Sequence, residues 1–253
     1  MSIEARAVSY RFGARRALDG LDFSATAGVV GLLGPNGAGK TTFVRLLATD
    51  LVPQSGSIEI LGQNVRHSSS LRWVRRHLGY LPQRFGYYPN FTVREFVTYV
   101  AWLREVPGNE LREAVERALA AVDLLPHADL SLRELSGGML RRAAISCAIV
   151  NRPRVLLLDE PTSGLDPEQR TAFRALVRQF GRSGLVLIST HLVEDVIAAC
   201  TEVAIMFQGR IVFRGTPDEL SAVGNGWPEG DTPGERGYHA VLARARAEPR
   251  DTG

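Results

Sequence analysis

Two stretches carry residue types that can handle a nucleoside triphosphate. The first, "GPNGAGKTT" at Gly34–Thr42, fits G-x-x-x-x-G-K-[ST] and stands between an apolar run and a helical pattern, the context this motif requires. The loop Gly34, Pro35, Asn36, Gly37, Ala38 and Gly39 can curl so that successive backbone N–H groups face phosphate oxygens. The helix that follows, through Lys40, Thr41 and Thr42, adds the partial positive charge of its N-terminus. Lys40 supplies a point charge for β- and γ-phosphates, and Thr41 offers a hydroxyl to Mg²⁺. The second stretch is "VLLLDEPTSGLD". Asp159, closing a buried strand, can hold Mg²⁺ directly or through water. Glu160 beside it can orient a water and accept its proton, a role worth roughly 10² to 10⁴ in rate.

A third stretch, "LRELSGGMLRRAAIS" at Leu132–Ser146, reads as a helix start with Ser136 as its cap. Gly137 and Gly138 follow at once, although glycine costs roughly 1 kcal/mol against alanine inside a helix. Such a pair marks backbone that something must approach closely.

"LSGGM" at Leu135–Met139, lying ahead of Asp159, resembles the signature of ABC ATPases. The other motifs of that family stand in order: Tyr10 at the aromatic A-loop position, Gln83 in "YLPQ", Asp166 in "SGLD" and His191 in "STH". The resemblance covers about residues 1 to 220 and implies ATP and Mg²⁺ as cofactors. It assigns adenine stacking to Tyr10, and contact with Mg²⁺ or the attacking water to Gln83. His191 is to hold the γ-phosphate and water in line, and Asp166 is to cross a dimer interface. Two such domains pack head to tail in this family. Ser136 and the N–H groups of Gly137 and Gly138 would then meet the γ-phosphate bound by the other copy. The dimer can be of identical or of different ATPase domains, and its membrane partner is a transmembrane permease subunit.

Met139 departs from the family's usual glutamine, and together with "STHLVEDV" it resembles bacterial exporter-type subunits. "RFGYYPNFTVREF" clusters Phe85, Tyr87, Tyr88, Pro89 and Phe91, where the resemblance places the groove for a cytoplasmic helix of the permease. The implied function is ATP hydrolysis that opens and closes a dimer to power a separate membrane protein, with the chain held on the inner face of the cell membrane. The rival is a soluble ABC ATPase acting in cofactor assembly or on DNA or ribosomes. Neither long coiled coils nor a second ATPase unit is present to favour it.

These residues need a scaffold. The runs "GVVGLLG", "RVLLLDE" and "GLVLIST" are apolar without alternation, the mark of strands buried on both faces of a parallel sheet. Each precedes a helical pattern, and "EVAIMFQGRIVFRGT" reads as a hairpin turning near Gln208–Gly209. The expected fold is α/β: a phosphate-loop NTPase core with a mostly parallel sheet, an antiparallel β subdomain and an inserted α-helical subdomain at about 85–150. The ATPase domain is expected over 1–222. The Gly- and Pro-rich stretch from 223 to 253 reads as a flexible tail, with a short helix at "HAVLARARAE".

Composition sets limits on partners. With 30 Lys and Arg against 27 Asp and Glu, the net charge of +3 provides no basic stripe, so nucleic acid is not expected. No apolar run approaches the roughly 20 residues of a membrane helix. The first residues carry no secretory signal, and Cys147 and Cys200 read as buried thiols of a cytosolic protein.

Overall fold

The structure, a computed structural model, describes residues 1–247. In chain order it holds β1 (Ile3–Phe12), β2 (Arg15–Ala25), β3 (Gly28–Leu33), α1 (Lys40–Leu47), β4 (Ser55–Ile60), β5 (Gln63–Asn64), α2 (Ser68–Arg76), β6 (Leu78–Leu81), α3 (Val93–Leu103) and α4 (Leu111–Ala120). There follow α5 (Gly137–Ile149), β7 (Val155–Asp159), α6 (Pro167–Gly181), β8 (Leu185–Thr190), α7 (Val193–Ala199), β9 (Glu202–Phe207), β10 (Arg210–Gly215), α8 (Pro217–Val223) and α9 (Pro233–Ala247).

Strands β10-β9-β3-β8-β7-β6 form one sheet, parallel throughout except for the β9–β10 hairpin. The period-two alternation of a strand sends its side chains into two cores. Val29 and Leu33 of β3, Leu156 and Leu158 of β7, and Val186 and Ile188 of β8 join the core that continues into helices α3–α5. Val30, Leu32, Val155, Leu157, Leu185 and Leu187 face the opposite way. There they meet α1 and the antiparallel sheet β2-β1-β4-β5. Every residue of β7 and β8 is buried, which explains why their sequences lack alternation. The candidate residue Asp159 ends β7 and His191 directly follows β8, in line with the rule that open α/β sheets place sites at carboxyl ends.

Helices α3, α4 and α5 pack on one another as a lobe, and α5 also rests on β6. Thr92 starts α3 with a capping box: Glu95 N donates to Thr92 Oγ1 at 3.1 Å, and Thr92 N donates to Glu95 Oε2 at 2.8 Å. That reciprocal pair satisfies two N–H groups the helix leaves free.

The flexible tail expected over 223–253 is corrected. Helix α9 runs from Pro233 to Ala247 and buries Ala240, Val241 and Leu242 against α7 and α8. The Gly- and Pro-rich stretch is therefore a connection to a packed helix, whose small residues permit close approach. Residues 248–253 of that expected tail lie outside the described residues. Cys147 and Cys200 are buried free thiols, and burial pushes both well above the ordinary thiol range. Among the described residues, no helix is long and apolar enough to cross a membrane.

Candidate functional site

A cleft of about 240 Å³ opens at the phosphate loop and is lined by Asn36 through Thr42, with Gln83 and Glu160 from one side and Phe12, Arg15 and Ala17 from the other. The loop leaves β3 at Gly34 and enters α1 through Gly39, whose φ of 111° caps the helix. A Cβ at Gly39 would stand 2.6 Å from Ala17 O, so both conformation and space demand glycine there. Lys40, 6 % exposed, donates from Nζ to Gly34 O at 2.6 Å and Pro35 O at 3.2 Å. Gly34 and Pro35 thus serve through their carbonyls, outside the cleft lining. Burial lowers the Lys40 pKa, opposed by the charges of Glu160 and Asp159. Those same carboxylates keep an ammonium favourable in a confined place.

Asp159 is fully buried, and burial raises its pKa above the ordinary carboxylate value while Ser189, Thr41 and Lys40 favour the charged form. Ser189 Oγ donates to Oδ1. Oδ2 is buried without a hydrogen-bond partner. Buried carboxylate oxygens are normally satisfied, so Oδ2 is an oxygen that could hold a cation. Among the described residues no three His, Cys, Asp or Glu gather into a metal cluster. A hard cation here would instead use the oxygens of Asp159, Thr41 and Gln83 together with phosphate, the pattern Mg²⁺ favours.

Glu160 has φ of 49°, a left-handed conformation that residues other than glycine adopt at a cost. Its N–H donates to Ser189 O at 2.8 Å. The carboxylate reaches His191, whose Nδ1 lies 3.0 Å from both Oε1 and Oε2. A carboxylate only accepts, so His191 Nδ1 carries the proton of this contact. His191 leans out to 56 % side-chain exposure while Glu160 stays at 9 %. The pair thus joins a sheltered carboxylate to a group that can be reached from outside.

Ser136 and Asp166 both act as helix caps: Ser136 Oγ accepts from Met139 N at 3.2 Å, and Asp166 Oδ1 accepts from Gln169 N at 2.8 Å. These residues and Gly137 and Gly138 stand apart from the cleft lining of the same chain. The two glycines have different surroundings. Nothing lies within 4 Å of a Cβ placed on Gly137, whereas a Cβ on Gly138 would meet Gln169 Oε1 at 2.5 Å. A side chain at Gly138 would thus have to push aside the Gln169 amide of its own chain's α6, whereas Gly137 faces open space. Met139 packs against the helical core.

One assignment is corrected. Tyr10 lies outside the cleft, half-buried and packed against the core beneath the antiparallel sheet. Phe12, 46 % exposed, lines the cleft instead, 4.9 Å from Tyr10 in an edge-to-face contact. The register of β1 shifts at Tyr10/Arg11, and Phe12 pairs with Arg15 across the turn Gly13–Ala14. The turn in "RFGARR" was the available signal for Phe12 and Arg15. Their approach to the phosphate loop is a tertiary contact. Arg141, buried beneath Glu160, also carried no motif to mark it.

The fold and cleft define a phosphate-loop α/β domain in which Glu160 lines the cleft and His191, outside that lining, is hydrogen-bonded to it. Residues 18–163 match the family model described as "ABC transporter", and the chain belongs to that family. It is 35 % identical over 222 residues to the "Probable multidrug ABC transporter ATP-binding protein YbhF" of Escherichia coli K12, covering 87 % of this chain but 38 % of that one. The "Nod factor export ATP-binding protein I" of Burkholderia thailandensis is 38 % identical over 220 residues, covering 86 % of this chain and 72 % of its own. Two solved structures share the fold. An ATP-binding subunit of an ABC transporter gives a TM-score of 0.83 at 24 % identity, covering 96 % of this chain and 100 % of its own. The dimeric post-hydrolysis ATP-binding cassette MJ0796, bound to ADP and Pi, gives 0.77 at 23 % identity, covering 85 % and 98 %.

Proposed function

We propose that this chain binds and hydrolyses ATP as the nucleotide-binding subunit of an ABC exporter, closing as a dimer on nucleotide and driving a separate transmembrane permease. The observation that carries the reading is the convergence of Lys40, Gln83 and Glu160 on one cleft, with His191 seated on the base. Phe12 stacks on adenine, a contact worth roughly 1–3 kcal/mol with any base, and Arg15 stands beside it for the ribose or phosphates. Backbone N–H groups of the loop and Lys40 hold the phosphates. Thr41, Gln83 and Asp159 hold Mg²⁺, which supplies charge neutralisation at the phosphates. Glu160 takes the proton of the attacking water, and His191 keeps its carboxylate aimed.

Ser136 and Gly137 complete the site of a second copy, a reading supported by their standing apart from their own chain's cleft lining. Exporter direction is supported by the similarity to the Nod factor export ATP-binding protein I. The permease is expected on the aromatic groove of about 500 Å³ lined by Phe85, Tyr87, Tyr88, Tyr99 and Leu103. Tyr88 and Leu103 there are 55 % and 53 % exposed, which is unusual for large apolar side chains without a partner. The half-buried Arg104 guanidinium lines the same groove and makes one hydrogen bond, to Arg75 O at 3.2 Å. A docking helix that carries a carboxylate would complement it. Held this way, the chain works on the cytoplasmic face of the membrane.

Glu160→Gln tests the catalytic part. It should lower turnover by roughly 10² to 10⁴ while ATP now accumulates a stable dimer in size-exclusion chromatography. Turnover near that of the unsubstituted chain removes Glu160 as the base. Tyr87→Ala with Tyr88→Ala should abolish co-purification with the permease at unchanged ATP binding, and retained co-purification removes the groove from the partner surface.

A further inference from the structure

The guanidinium of Arg141 is 6 % exposed and sits one turn into α5, the helix that begins at Ser136. It donates five hydrogen bonds, all to backbone carbonyls. Nε reaches Pro161 O at 3.1 Å. Nη1 reaches Pro82 O and Gln83 O, each at 3.3 Å. Nη2 reaches Asp159 O at 2.9 Å and Glu160 O at 2.5 Å. Arginine has five N–H donors, and here every one is used within the protein. None is left for a phosphate, so Arg141 is not a substrate ligand. Burial lowers the Arg141 pKa, and the negative charges of Asp159 and Glu160 oppose that shift.

The five acceptors belong to two segments far apart in sequence. Pro82 and Gln83 lead out of β6 toward the helical lobe, and Asp159, Glu160 and Pro161 end β7. Their common bolt is a side chain of α5. Glu160 is also the residue held at φ 49°, a conformation that persists only when its surroundings over-determine it. Its N–H is fixed by Ser189 O at 2.8 Å, and its carbonyl by Arg141. The peptide on either side of the strained Cα is thus clamped, and the Cα–Cβ direction with it.

From this geometry we infer that Arg141 is a positioning residue for hydrolysis: it holds Glu160 in its left-handed conformation and ties Gln83 and Glu160 to the helix that begins at the signature serine. Any shift of α5 produced when a second molecule meets Ser136 and Gly137 is passed through this guanidinium to the base and to Gln83 of the same chain. A planar fork can span the two segments. A lysine, with its donors on one nitrogen, satisfies one segment and leaves the other. The inference rests on the reading of Glu160 as the base.

The test uses Arg141→Lys and Arg141→Gln in the full chain, with turnover, ATP affinity measured with a fluorescent ATP analogue, and thermal unfolding. Each is repeated in the Glu160→Gln background. Arg141→Lys should lower kcat at least tenfold with nucleotide Kd within about threefold of the unsubstituted chain. In the Glu160→Gln background it should cause less than a tenfold further loss of residual turnover, because the base is already gone and only the hold on Gln83 remains to be lost. A kcat within threefold in Arg141→Lys overturns the inference, as does a loss of nucleotide affinity that parallels the loss of kcat. A further tenfold loss in the Glu160→Gln background also overturns it, since Arg141 would then act by another route. Arg141→Lys keeps the charge and decides the matter if Arg141→Gln fails to fold. Failure of the underlying reading is separately visible, because Glu160→Gln alone would then turn over normally.

Discussion

Gly137 and Gly138 make different predictions for the same substitution. Both lie in the first turn of α5 with helical backbone, so alanine at either should gain up to about 1 kcal/mol in helix propensity, less at the first helical position. At Gly137 a methyl group meets nothing within 4 Å. Gly137→Ala should therefore stabilise the isolated chain by roughly 0.5 kcal/mol, about 1–2 °C in Tm for a domain of this size. Under the proposed function, the same methyl group would stand where the second molecule's nucleotide approaches the backbone. ATP-driven dimerisation in the Glu160→Gln background should weaken at least tenfold, and turnover with it. At Gly138 the methyl carbon would be 2.5 Å from Gln169 Oε1, and the amide must give way. Turning this flexible but buried amide aside should offset most of the propensity gain of Gly138→Ala, leaving its stability within about 0.5 kcal/mol of the unsubstituted chain. Gln169→Ala should restore the gain, a non-additivity expected only of groups in contact. Thermal unfolding and analytical ultracentrifugation with and without ATP read both effects. A Gly137→Ala chain that is more stable and dimerises normally refutes the idea that this backbone is a contact surface.

Two further outcomes follow from buried polar groups. Asp195, with a side chain 7 % exposed, accepts from Arg174 Nη2 at 2.5 Å, Arg174 Nε at 3.0 Å and Thr162 Oγ1 at 2.7 Å, tying α7 to α6 and to the segment after Glu160. Asp195→Ala leaves an unpaired guanidinium and should cost about 3–5 kcal/mol in urea unfolding; a loss below 1 kcal/mol would show that the network is dispensable. Burial, with the charges of Asp159 and Asp50, raises the Tyr80 phenol from 10.0 to about 12. The folded chain therefore keeps this proton where the unfolded chain releases it, so stability falls as pH rises from about 10 toward 12. Tyr80→Phe should remove that part of the alkaline loss while leaving stability at neutral pH nearly unchanged. Identical pH profiles for the two chains would contradict the sign of the shift.

Much of the scaffold was written locally. The three apolar runs without alternation required a parallel sheet covered on both faces, because only doubly buried strands tolerate such composition, and β3, β7 and β8 are those strands. The loop Gly34–Gly39 with Lys40 and Thr41 was legible because its chemistry is carried by contiguous backbone and its position by the strand and helix that flank it. Asp159 and Glu160 were legible for the same reason, at the end of a strand that cannot be mistaken.

What the chain alone could not disclose is whatever depends on which distant segments meet. Tyr10 and Phe12 are both aromatic residues of one strand, and only a register shift and the packing of a hairpin tip over the phosphate loop select Phe12. Gly138 reads in the sequence as half of a contact surface, and only the fold shows that a side chain there would also meet the Gln169 amide, thirty-one residues on. The stretch after Val223 has the composition of a linker, yet α9 packs because α7 and α8 offer it an apolar seat. Arg141 shows the limit most clearly. Its side chain has no special neighbour in sequence, and its meaning lies in five carbonyls brought together by two strands and a helix. Local spacing determines backbone conformation and the chemistry of short loops, because those energies are set within a few residues. Folding decides which aromatic, which glycine and which arginine matter, because close packing and hydrogen-bond satisfaction are properties of what lies across the core.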